Sequence, residues 1–326
     1  MTTTARRRWS REFNGEIDGI HLGSAGPAFI HGYDPPAGGK WIDNVIPGKL
    51  GALDRSNGEL LWVSPCEVGY GRGFGVGLGP EDDVVILGPS MQGHRIARQS
   101  IATGELIGAR EIEAFDAAVV APDMSVTVTP GRVAGIYTGP MVEVWSYARD
   151  GERYHLVSRA GERVLVVYSN TNTKKQGVLA LDVESGELVG STIDPTFPVI
   201  HEFCVEGEHA LALVGDRAPG ARRSVGSERL HVIAYGGVSA GDGYELWRKE
   251  LANESVDELP DVSISMNSGK LYVVRGAMLE VYDAQSGRTL GELTVPGLDE
   301  RIAWRISDGA GMLAEETRAT IFELPV

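Results

Sequence analysis

Ala52-Leu53-Asp54-Arg55-Ser56-Asn57-Gly58-Glu59-Leu60-Leu61-Trp62 holds a complete small turn. Apolar residues lead in, an aspartate can accept hydrogen bonds from nearby backbone amides, a glycine is free to take positive φ, and apolar residues lead out. Ala180–Leu188 (ALDVESGEL) and Val281–Leu290 (VYDAQSGRTL) repeat the pattern, and Arg98–Leu106 repeats it more loosely. Self-similarity at a period of roughly 20–50 residues marks a repeat architecture.

The spacing of the turns sets the number of repeats. Turn glycines are expected at Gly58, Gly104, Gly151, Gly186, Gly243 and Gly287, with successive gaps of 46, 47, 35, 57 and 44 residues. Trp62 and Trp247 each stand four residues after a turn glycine, and Trp9 in Arg8-Trp9-Ser10-Arg11 resembles them. That register puts a degenerate turn at Ala5 and makes the head of the chain the end of the last repeat. The reading is all-β: a seven-bladed β-propeller of four-stranded antiparallel blades, forming one domain over residues 1–326. A strand at about 7–13 closes it by pairing with a strand at about 319–324, which removes exposed sheet edges.

Composition agrees. The chain has 43 glycines among its 326 residues, and short β-branched runs such as Arg163–Tyr168 and Leu271–Val274 replace any sustained helical period. A net charge of -15 argues against nucleic-acid binding, which needs a basic face. Arg6–Arg8 is not followed by a long apolar segment, and no stretch approaches the ~18 apolar residues of a membrane span. The expectation is a cytoplasmic monomer. Cys66 and Cys204 are too few to staple such a chain and read as small core residues.

The Ala-Leu-Asp-x-x-x-Gly-x-x-x-Trp unit resembles the repeat of the PQQ-like, quinoprotein-type β-propeller superfamily. That group includes quinone-dependent dehydrogenases, an outer-membrane assembly lipoprotein and many bacterial proteins. The resemblance runs along nearly the whole chain and implies blade architecture rather than chemistry. Its quinone-dependent members often carry adjacent cysteines, and no Cys-Cys pair occurs here. PQQ is therefore not expected, and no cofactor is predicted. A weaker likeness to seven-bladed lyases and lactonases carries over no catalytic residue.

In a propeller the first strand of each blade lines a central channel, and residues from several blades converge at its rim. Counting back from Gly26, Gly161, Gly207, Gly269 and Gly309 aligns these strands. The alignment gathers Asp18, Arg153, Asp261 and Arg301 in one row, His155 and His201 in the next, and His21, Glu202 and Trp304 in a third. Tyr70, Arg72 and Asp116 are the counterparts in the two blades that align least well. His155, His201 and His21 with Glu202 suit a general base, or a divalent metal as the alternative. Arg72, Arg153 and Arg301 suit a carboxylate or phosphate clamp, or else pairing with Asp18, Asp116 and Asp261. Trp304 can stack on a flat ligand. His31 is expected away from the axis. The alternating glycines of Gly69–Gly79 have no helix after them to make a phosphate cradle, so they read as sites of close strand approach.

Two functions follow from this placement. One is a small-molecule-binding lyase, cyclase or isomerase working by acid–base catalysis at the channel rim. The alternative is a non-enzymatic protein-interaction scaffold. A deep pocket lined by perturbed ionisable groups favours the first, and exposed apolar surface favours the second.

Overall fold

The computed structural model describes residues 3–23, 26–34, 46–70, 73–215, 230–251 and 262–324. They build seven four-stranded antiparallel blades of the β-propeller class. Blade 1 comprises Glu16–Leu22, Ala28–Tyr33, Ile46–Leu53 and Leu60–Tyr70; blade 2 comprises Gly75–Leu78, Asp83–Ser90, Gly93–Ser100 and Leu106–Ile112. Blade 3 is formed by Ala117–Val119, Met124–Thr129, Arg132–Tyr137 and Val142–Tyr147, and blade 4 by Glu152–Ala160, Arg163–Asn170, Gln176–Asp182 and Leu188–Phe197. Blade 5 consists of Val199–Glu206, His209–Gly215, Leu230–Gly236 and Tyr244–Glu250, and blade 6 of Val262–Asn267, Lys270–Arg275, Met278–Asp283 and Thr289–Thr294. Blade 7 takes Ala303–Ser307, Ala310–Ala314 and Arg318–Glu323 from the tail and Arg6–Glu12 from the head. The expected closure is therefore present: Trp9 stands opposite Ile321 and Arg11 opposite Ala319. Thr3–Thr4 adds a fifth strand to the outer edge of blade 6.

The described chain falls into two compact units. One holds Val128–Gly135 and Val144–Thr294, the other Thr4–Thr127, Ile136–Glu143 and Val295–Val326. In the first, Leu165, Val178, Ile200, Ala212 and Ile233 fill the layer between blades 4 and 5, and Leu211, Val232, Leu271 and Val273 that between blades 5 and 6. In the second, Ile17, Ile30, Leu53, Met312 and Ile321 join blades 7 and 1, and Phe29, Leu50, Val68, Val84 and Ile86 join blades 1 and 2. Middle strands are covered on both faces, so Asp83–Ser90 is buried at every position. Each large apolar side chain placed there contributes about 1.5–3 kcal/mol.

The repeat reads directly into hydrogen bonds. Asp54 Oδ1 accepts from Ser56 N at 2.7 Å, Asp182 Oδ1 from Ser185 N at 3.0 Å and Asp283 Oδ1 from Ser286 N at 2.8 Å. Gly58, Gly104, Gly186 and Gly287 take φ of 75, 73, 70 and 69°. These glycines also serve a neighbour. Trp9, Trp62, Trp145 and Trp247, each on a fourth strand, lie over the turn of the next blade. Their Nε1 atoms donate to Arg55 O, Ile101 O, Val183 O and Ala284 O at 3.0, 2.7, 2.8 and 2.9 Å. A Cβ on Gly58, Gly104, Gly186 or Gly287 would approach the indole to 2.6, 2.5, 2.5 or 2.8 Å. The glycine is required twice, by its φ and by the ring above it.

Three expected turns are corrected. Gly151 does not turn blade 3; it precedes the first strand of blade 4, and Met141, at φ 55°, closes the third hairpin. Gly243 likewise is not the αL residue of blade 5, where Gly237 and Gly241 flank the short 3-10 turn Val238–Ala240. Ala5 is no hairpin turn either, because it simply links Thr3–Thr4 to Arg6–Glu12. Trp9 nevertheless does for Gly58 what Trp62 does for Gly104.

Candidate functional site

Within each unit, first strands of successive blades run beside one another. Within one unit Glu152–Ala160 lies against Val199–Glu206, and that strand against Val262–Asn267. Within the other, Ala303–Ser307 lies against Glu16–Leu22, which touches Gly75–Leu78, and Gly75–Leu78 meets Ala117–Val119. The glycines of Gly69–Gly79 permit the last contact. A Cβ at Gly77 would stand 2.9 Å from Val120, and one at Gly75 would stand 3.2 Å from Ala118.

Three of these first strands carry a β-bulge, and the residue bulged out is in each case an expected site residue. Asp18 has no partner between the pairs Ile17–Gly32 and Gly19–His31. His155 falls between Tyr154–Tyr168 and Leu156–Val167, and His201 between Ile200–Val214 and Glu202–Leu213. A bulge re-aims a side chain and is enriched near functional sites. The counterpart of His155 and His201 in blade 1 is therefore Asp18 rather than Ile20, which the count from the turn had put in their row. The count back from Gly26 went astray because Leu22 is joined to Ala28 by a longer link than joins Ala160 to Arg163.

In blade 1, Asp18 meets a residue the sequence reading had set aside. His31 is buried, and its Nδ1 and Nε2 lie 2.5 Å from Asp18 Oδ1 and 3.1 Å from Val68 O. Acceptors on both nitrogens require both to carry hydrogen, so the ring is an imidazolium. Burial opposes that charge, but the Asp18 carboxylate, together with the neighbouring Cys66 sulfur, outweighs it and the pKa is raised to about 10. The expected pairing of Asp18 with an arginine is thus replaced by a buried ion pair with His31. His21 is the opposite case. Burial first, then the charge of Arg305, lower its pKa to about 4, and its Nε2 meets no hydrogen-bond partner among the described residues.

In blades 4 and 5, His155 Nε2 shares a 2.8 Å hydrogen bond with Ser169 Oγ, and its pKa is lowered by burial and then by Arg153. Glu202 reaches the next blade, where it accepts from Ser263 Oγ at 3.0 Å and from Ile264 N at 2.5 Å. That bonding ties two blades together. Arg153 is exposed at the start of its strand. Arg301 donates to Leu298 O at 2.9 Å, and Trp304 stands in the first strand of blade 7. Asp116 sits just before the first strand of blade 3, and Tyr70 ends the fourth strand of blade 1. Arg72 and Asp261 lie outside the described residues, as does most of Asp34–Pro47 and Asp216–Ser227. Among the described residues no group of three or more His, Cys, Asp or Glu side chains is placed to hold a metal ion. Both cysteines are free thiols, Cys66 buried and Cys204 half-buried.

The surface shows a second pattern. Fourth strands carry most of the large apolar side chains that remain exposed: Leu61, Val63, Leu106, Ile107, Val144, Leu188, Val189, Tyr244 and Leu290, at 40–60 % exposure. An exposed glutamate stands beside those of blades 1 to 5, namely Glu59, Glu105, Glu143, Glu187 and Glu245, but not directly beside Leu290. Sequence reading passed over this, although Gly-Glu-Leu-Leu, Gly-Glu-Leu-Ile and Gly-Glu-Leu-Val begin at the turn glycines Gly58, Gly104 and Gly186. Among the described residues no helix is long and apolar enough to cross a membrane.

No family model matches the chain, and no curated protein matches it. Solved structures do. The Neurospora crassa Pan2 WD40 domain superposes with a TM-score of 0.64 at 11% identity, covering 99% of this chain and 98% of that one. Kuenenia stuttgartiensis hydrazine synthase gives 0.66 at 10% identity, with 97% of each chain covered. BamB from Moraxella catarrhalis gives 0.54 at 13% identity, covering 98% of this chain and all of that one. At such identities the likeness shows the propeller fold alone.

Proposed function

We propose that this propeller is a protein-interaction scaffold that presents its fourth strands to partners, and that within the fold it belongs with the PQQ-like repeat proteins on the strength of Ala52–Trp62. One observation carries the scaffold reading: an exposed branched apolar pair beside a glutamate recurs on blades 1, 2 and 4, and single exposed apolar side chains stand on the fourth strands of blades 3, 5 and 6. Exposed apolar side chains scattered singly need no explanation; the recurrence of a pair at the same offset from the turn glycine in blades 2 and 4, and nearby in blade 1, supports a contact surface. A fourth strand is also an open sheet edge, and the addition of Thr3–Thr4 to blade 6 is an example of one being extended. A photo-crosslinking residue at Ile107 or Leu188 should give adducts of discrete mass in an extract of the source cells, and one at exposed Asn172 should give none. Equal labelling at all three positions, or none at any, would remove the reading.

A second reading keeps the enzyme. The bulged His155 and His201 stand on neighbouring first strands, and a neutral His155 suits proton abstraction by a lyase, cyclase or isomerase, with or without a divalent metal. Metal analysis of the purified chain, together with binding of carboxylated metabolites to the wild type and to a His155→Ala, His201→Ala variant, tests it. Identical binding by both proteins would set the enzyme aside.

A further inference from the structure

We infer that the cleft where blade 7 meets blade 1 receives an extended segment of a partner protein in which basic side chains alternate with branched apolar ones. This rests on the scaffold reading and specifies one of its surfaces. The cleft measures about 300 Å³ and runs between the stretch Arg11–Ile17 and the sheet of blade 1. Its apolar wall is made by Phe13, Ile17, Ile30, Leu60 and Val63. Two glycines keep the floor low, since a Cβ at Gly32 would stand 2.3 Å from Glu16 O and one at Gly51 would stand 3.1 Å from Ile30.

Of the three carboxylates that line the cleft, Glu12, Glu16 and Asp34, two are held by cations. Lys49 holds Asp34 at 2.5 Å, Arg318 holds Glu12 at 2.6 Å, and Arg11 donates to Gly58 O at 3.1 Å. Glu16 is different: Tyr33 Oη donates to it at 2.6 Å, and no cation among the described residues pairs with it. An uncompensated carboxylate at the margin of an apolar trough calls for a cation carried next to an apolar group, and the net charge of -15 draws such a segment in. Extension follows from the surroundings. Arg6–Glu12 is the end strand of its sheet, so its far edge is open to another strand, and exposed Leu61 and Val63 continue the apolar wall.

The test uses the full chain and two fluorescein-labelled peptides of equal length, one alternating Leu with Lys and the other Leu with Glu, followed by anisotropy at low and high salt. The Leu/Lys peptide should bind, more weakly as salt rises, and the Leu/Glu peptide should not. Glu16→Gln should weaken binding about fivefold, Val63→Lys should abolish it, and Glu162→Gln, at an exposed turn of blade 4, should change nothing. Both key variants are mild, one isosteric and one on an exposed side chain, and an unchanged unfolding midpoint verifies that each is folded. Equal binding of the two peptides, or wild-type binding by Glu16→Gln and Val63→Lys, overturns the inference. Competition by free lysine as effective as by the peptide also overturns it, because the occupant is then a small amine. Weakening by Glu162→Gln equal to that by Glu16→Gln removes the cleft but leaves the scaffold, whose own test is the cross-linking at Ile107 and Leu188.

Discussion

Asp18 and His31 lock two adjacent strands of blade 1 together through a contact that exists only because Asp18 is bulged out of its ladder. A regular strand would leave Asp18 paired in the ladder and aimed differently; the inserted position instead delivers its carboxylate to a ring with no exposed side-chain surface.

That pair makes stability depend on alkaline pH. The folded pKa of His31, about 10, exceeds the ordinary value of 6.5. The contribution is complete below about pH 6.5, where the unfolded ring is protonated as well, and it is lost as pH climbs through about 10. Urea unfolding should therefore show the wild type losing a few kcal/mol more than Asp18→Asn between pH 7 and pH 10. At pH 7 the substitution itself should cost about 3–5 kcal/mol, since it strips a buried charge of its partner. Parallel curves for the two proteins would contradict this.

The indole clasp separates two roles of glycine. Gly161 has φ 57° and open space where a Cβ would go, whereas Gly186 has φ 70° and Trp145 at 2.5 Å. Gly161→Ala should cost about 1 kcal/mol, from backbone strain alone. Gly186→Ala should cost about 2–4 kcal/mol, because the ring must also move. Chemical denaturation of both variants and of Trp145→Leu, Gly186→Ala checks it; in the double variant the excess cost over the Trp145→Leu single should shrink.

Asp83 is wholly buried and bonded to Arg98, whose guanidinium also donates to Gly139 O at 2.7 Å. Arg98→Met should destabilise by about 3–5 kcal/mol by abandoning the carboxylate, and Asp83→Asn in the same chain should recover part of the loss. A calorimetric midpoint unchanged in Arg98→Met would show the pair to be dispensable.

For the imidazoles, NMR titration should place the midpoint of His155 below 6.5, because burial and Arg153 both disfavour its cation. His31 should not titrate in that range at all.

Much of the fold was legible in short words of sequence, for a physical reason. Gly58, Gly104, Gly186 and Gly287 occupy an αL position and sit beneath an indole, two demands that only glycine meets, so they stand out with their aspartates or serine. Met141 could not be found this way, since a methionine at φ 55° leaves no trace in the pattern. The candidate site was less legible. Counting residues back from a turn assumes an unbroken ladder, and the bulges at Asp18, His155 and His201 each insert a residue that no local signal announces. His31 escaped because its partner is supplied across a hairpin whose length the sequence does not advertise. The cleft around Glu16 depends on the packing of blade 7 against blade 1, which no single stretch encodes.

Blade 7 also has a temporal consequence. Glu12 and Arg318, hydrogen-bonded at 2.6 Å, are separated by 306 residues. At a synthesis rate of roughly 5–20 residues per second, the first of them waits on the order of tens of seconds for the second. Through that interval the emerging Arg6–Glu12 has no ladder to join. The arginines at 6, 7, 8 and 11 then double as guards, their mutual repulsion keeping two nascent chains from zipping together on the ribosome.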